Sequence, residues 1–75
     1  MAIHIINRGA TPRIVRGRNE IGDYAGFIPH NIDSFLSACK SLQASRSEIE
    51  KLAYEADKQD LISASAVMWR VDDEE

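Results

Sequence analysis

At Pro29 the apolar residues of this 75-residue chain change their spacing, and that change restricts the available architectures more than any other feature. Before it, Ile3, Ile5 and Ile6, then Ile14 and Val15, make two short β-branched runs. The stretch between them, Asn7-Arg8-Gly9-Ala10-Thr11-Pro12, is rich in turn formers. After Pro29, Ile32, Phe35, Leu36, Cys39 and Leu42 recur at three- and four-residue steps, the pattern of a helix with one apolar stripe. Strands followed by helices predict an α+β fold, with an N-terminal antiparallel β-hairpin packed on a helical hairpin.

The boundaries follow from local chemistry. Residues 1–28 hold strands and loops. On the second run, alternation sets Arg13 and Val15 on one face and Ile14, Arg16 and Arg18 on the other, which reads as an edge strand whose arginines resist stray pairing. Tyr24, Phe27 and Ile28 make either a third short strand or a loop clamped by aromatic residues. Pro29 disfavours helix at Ile28, Asn31 is a competent N-cap and Asp33 suits the first turn, so a helix is expected over 31–43.

A second helix is expected over 46–58, started by a capping box at Ser45 and Glu48 or at Ser47 and Glu50. Ile49, Leu52 and Ala56 face inward with Ala53, and Glu55 is placed to pair with Lys51 or Lys58. The core is then Ile32, Phe35, Leu36, Cys39, Leu42, Ile49, Leu52 and Ala56. Beyond Lys58 the stripe breaks. With Asp60 as cap, 61–70 is a third helix with Leu61, Ile62, Ser65, Ala66 and Trp69 on one side; as a strand, Val67, Trp69 and Val71 share a face. Helix is preferred for Ala64 and Ala66, and 72–75 is expected to fray as an acidic tail.

The composition, 44% hydrophobic and 28% charged, is that of an ordinary folded domain. A chain this short buries only about 60% of its unfolded surface, so a partner subunit would add burial that the monomer lacks. Cys39 is the sole cysteine, which excludes an intramolecular disulfide and suits a reducing cytoplasm. The apolar start ends at Arg8, too soon for an export signal or a membrane span, so no membrane association is expected.

Charge is unevenly spread. Residues 1–19 carry Arg8, Arg13, Arg16 and Arg18 and no acid, whereas residues 20–75 carry five bases and twelve acids, giving +4 followed by −7. Such an asymmetry steers a polyanion to one end or a basic partner to the other.

Dedicated chemistry is scarce. His4, His30 and Cys39 lack the spacing of a zinc site, and no metal or cofactor is expected. Cys39 sits on an apolar stripe, where a thiol is inert; Asp23, His30 and Asp33 lie near one turn without forming a motif; and the glycines match no phosphate-binding loop. No catalytic residues are assigned and the chain reads as a non-enzyme. The favoured reading is a small regulatory protein acting by protein–protein contact: an inhibitor, antitoxin-like factor or adaptor, of a size that suits bacterial or phage-borne examples. Trp69 and Met68 are its candidate anchors, and Glu48 and Glu55 are candidate acidic contacts in the manner of a nucleic-acid mimic. A homodimer fits the same reading. The competing placement for Trp69 is the protein's own core. The alternative function is a DNA- or RNA-binding regulator that sets Arg13, Arg16 and Arg18 on phosphates.

Overall fold

The computed structural model describes residues 2–8, 11–17 and 23–73, with the Arg8 side chain left out. Three strands, β1 (Ile3–Arg8), β2 (Thr11–Arg16) and β3 (Asp23–Gly26), precede three helices, α1 (Ile32–Ser41), α2 (Arg46–Lys58) and α3 (Ala64–Asp73). The α+β class with an N-terminal hairpin and a short C-terminal helix is therefore what the chain adopts.

The sheet runs β1-β2-β3 and is antiparallel throughout, with Ile5 opposite Ile14 and Ile14 opposite Ala25. This corrects the edge-strand expectation for β2. Asp23–Gly26 pairs along its second side, making β2 central and leaving β1 and β3 as edges. Pro12 is tolerated in a central strand because the β3 ladder ends at Arg13 opposite Gly26. Beyond that point the Pro12 carbonyl accepts from Phe27 N–H at 3.2 Å.

One sheet face carries Ile3, Ile5 and Ile14 into the core, where they meet the helices. The other carries Val15, 2% exposed, with Arg13 and Tyr24, the Arg13 guanidinium lying 5.3 Å from the Tyr24 ring centroid. The buried core takes in the expected Phe35, Cys39, Leu42, Leu52 and Ala56, while Ile32, Leu36 and Ile49 are half-buried around it. Phe27 meets Phe35 edge to face at 5.2 Å, which closes the β3–α1 corner.

The helix starts obey local rules. Asn31 caps α1 by accepting from Ser34 N–H at 2.9 Å, and Ser45 caps α2 in a reciprocal box with Glu48. Both helices end in Schellman turns. Ala44 N–H reaches the Cys39 carbonyl and Leu61 N–H the Ala56 carbonyl, with Gln43 and Asp60 at φ 56° and 59°.

Asp60 is thus the left-handed residue that stops α2, correcting the expectation that it caps α3. Ser63 takes the latter place: its hydroxyl accepts from Ala66 N–H at 3.4 Å, while Asp57 accepts from Ala64 N–H at 2.8 Å. Starting at Ala64 turns the helix so that Ala64 and Val67 are buried and Met68 and Val71 half-buried. Of the expected stripe, Leu61 and Ile62 are buried ahead of the helix and Ala66 is half-buried, whereas Ser65 and Trp69 are exposed. The helix also passes the expected end at 70, so Asp72 and Asp73 are helical and not a frayed tail; Glu74 and Glu75 lie outside the described residues. No described helix is long and apolar enough to cross a membrane.

Candidate protein-binding site

Helix α3 is anchored on both flanks. Toward α2, Asp72 Oδ1 accepts from Arg46 Nη2 at 2.7 Å and from Nε at 3.2 Å; toward α1, Arg70 donates to Asp33. With about 3.6 residues per turn, its inward side is spent on Ala64, Val67 and Val71, and Trp69 leaves on the outward side, nearer the α2 flank. Trp69 is 67% exposed, the highest exposure of any large hydrophobic residue described. The core placement for this tryptophan is therefore ruled out. Met68, one residue earlier, is half-buried and packs against the core. On α2, Tyr54 is 59% exposed, lying outward of the Arg46 and Asp57 positions that meet α3.

Between α1 and the C-terminal half of α3 runs an open groove of about 570 Å³. Leu36, Ala44, Ile49 and Val71 make its apolar lining, and Asp33, Lys40 and Arg70 its charged margin. No pattern in the sequence announces this groove, because its lining comes from three helices and a turn.

The acidic candidates are engaged inside the fold. Glu48 receives two parallel bonds from Arg16, Nη1 to Oε2 at 3.2 Å and Nη2 to Oε1 at 3.1 Å, and also accepts from Ser45 N–H. The Arg16 contact, followed by the Ser45 N–H, holds the Glu48 carboxyl down at about 2. Glu55 accepts from Ile5 N–H at 3.4 Å, so it covers the outer edge of β1 in place of pairing along its own helix with Lys51 or Lys58.

Of the arginine candidates, Arg13 and Arg16 do not converge. Arg13 lies against Tyr24 on the sheet face that also carries Val15. Arg16 lies on the helix side, its guanidinium also donating to the Leu42 carbonyl at 3.0 Å and 3.2 Å, within a polar cleft of about 700 Å³ shared with Asp23, Gln43 and Glu48. Arg18 lies outside the described residues. Cys39 is fully buried, and burial pushes its thiol up to about 12. Among the described residues no cluster of His, Cys, Asp and Glu has the grouping of a metal site. The chain matches no protein-family model, and neither the curated proteins nor the solved structures contain a significant match to it.

Proposed function

We propose that this chain is a non-enzymatic regulatory protein that works by protein–protein contact, with Trp69 as its anchor. The observation that carries this reading is the 67% exposure of Trp69 on a helix whose inward residues already complete the core. A tryptophan offers 150–250 Å² of rigid contact area, and truncation of such anchors is among the costliest changes at interfaces. Met68, the other candidate on α3, is half-buried against the core, and Tyr54 on α2 is also exposed. Glu48 and Glu55 are engaged within the fold, where they join β2 and β1 to α2.

The nucleic-acid reading has less behind it. Phosphate tracking needs cations on a common surface, and Arg13 and Arg16 leave β2 on opposite faces, the second already bound to Glu48.

The test is interaction capture with wild-type protein and Trp69→Ala as baits, each first shown to be folded by circular dichroism. Binding that the variant loses while remaining folded supports the anchor. Equal binding by both baits, or salt-sensitive binding of random duplex DNA that survives in Trp69→Ala, overturns it.

A further inference from the structure

Helical spacing gives Trp69 two carboxylates as its neighbours one turn toward the C-terminus, Asp72 at i+3 on the α2 side and Asp73 at i+4 on the groove side. Asp72 is bound through Oδ1 to Arg46, a guanidinium that Glu50 also shares. Asp73 is exposed and has no side-chain partner among the described residues. The nearby cations are committed elsewhere or stand apart. Arg46 serves two acids, Arg70 is turned to Asp33, and Lys40 lies across the groove on α1. An exposed indole therefore lies beside a carboxylate whose charge no described contact offsets.

The end of α3 departs from the rule that the other two helices obey. A helix C-terminus carries partial negative charge and favours cations in its last turn. Lys40 fills that place in α1 and Lys58 in α2. In α3 the last-turn cation, Arg70, is spent on Asp33, and the helix closes on Asp72 and Asp73. Asp73 thus carries a local cost. A cation docked beside Trp69 removes that cost and gains the face of the indole, the best of the aromatic rings for a positive charge.

We infer that the partner of the Trp69 site is cationic: a lysine- or arginine-bearing segment of another protein, whose charged side chain lies over the Trp69 indole beside the Asp72 and Asp73 carboxylates. The inference rests on the reading of Trp69 as an anchor and gives the chemistry of what it anchors. It also moves the acidic contacts expected at Glu48 and Glu55, both engaged within the fold, to the end of α3.

Trp69 is the sole tryptophan of the chain, so its emission reports on the site directly. The probe is a short peptide alternating arginine and serine, titrated into the full chain at low and at physiological salt, beside the same peptide with glutamate in place of arginine. The arginine peptide is expected to change Trp69 emission saturably and more weakly at the higher salt, and the glutamate peptide to leave it unchanged. Asp73→Asn weakens binding about threefold and Asp73→Lys about tenfold; Trp69→Leu, followed by calorimetry, weakens it about fivefold. Asp73→Lys complements the helix dipole and is expected to unfold at a higher temperature than wild type, so its loss of binding is not a loss of fold. Asp23→Asn, at an exposed carboxylate on β3, leaves binding unchanged. No saturable change with the arginine peptide, an equal response to the glutamate peptide, or wild-type affinity in Asp73→Lys overturns the inference. So does a loss in Asp23→Asn equal to that in Asp73→Asn, which marks attraction to the net charge alone. If the peptide fails while a folded bait still captures a protein through Trp69, indifferent to Asp73→Lys, the cationic partner is overturned and the anchor stands; if no binding depends on Trp69, both fall.

Discussion

Arg16, at the end of β2, and Glu48, in the first turn of α2, are joined by two parallel hydrogen bonds of 3.2 Å and 3.1 Å across 32 residues of chain. The same guanidinium holds the carbonyl of Leu42, where α1 ends, so one side chain gathers the sheet, the end of one helix and the start of the next. Glu48 meanwhile completes its own helix cap.

This pair sets an acid limb of stability. The folded carboxyl of Glu48 is held at about 2 against an ordinary value of 4.5, so the folded state binds its proton less readily than the unfolded state. The contribution is fully present above pH 4.5 and is lost as pH falls through about 2. Urea midpoints of the wild type should decline over that window, and Glu48→Gln should be less stable at pH 7 with a shallower decline. Parallel profiles for the two proteins would contradict the assignment.

Exposure separates interface from core. Trp69→Ala should shift stability by no more than about 0.5 kcal/mol, as expected at an exposed position. Leu52→Ala, at 0% exposure, should cost about 2–5 kcal/mol. Thermal and urea unfolding at low protein concentration checks both; a Trp69→Ala loss as large as that of Leu52→Ala would return this tryptophan to the core.

The two left-handed residues at helix ends offer stabilising changes. Gln43 and Asp60, at φ 56° and 59°, occupy positions where glycine avoids the steric cost of a Cβ atom. Gln43→Gly and Asp60→Gly should each raise the unfolding free energy by about 0.5–1 kcal/mol, read from urea titrations. The gain at Asp60 should be the smaller, since aspartate tolerates this conformation better than glutamine.

Cys39 should behave as a core residue. Its thiol, fully buried and pushed up to about 12, should react with an aromatic disulfide reagent only on unfolding. Rapid labelling under native conditions would show that the α1 face opens locally.

The helix starts were legible in the amino-acid sequence because caps are short-range chemistry. Asn31 with Ser34, and Ser45 with Glu48, satisfy their own backbone within three residues whatever lies around them. The period change at Pro29 likewise foretold strands and then helices, because apolar spacing reflects which side of each element meets the core. Sequence could not place β2 at the sheet centre, since four residues from Asp23 to Gly26 carry too little pattern to announce a third strand. Nor could it orient α3. Ser63 as cap, in place of Asp60, turns Trp69 outward, and that choice depends on Asp57 accepting from Ala64 N–H across the α2–α3 turn. The partners of Arg16, Glu55 and Arg70 lie 26 to 50 residues away, and the groove between α1 and α3 draws on three helices. Propensity and capping act over a few residues and can be read along the chain; burial and long-range pairing arise only when distant segments pack together, and they set which side chains remain on the surface.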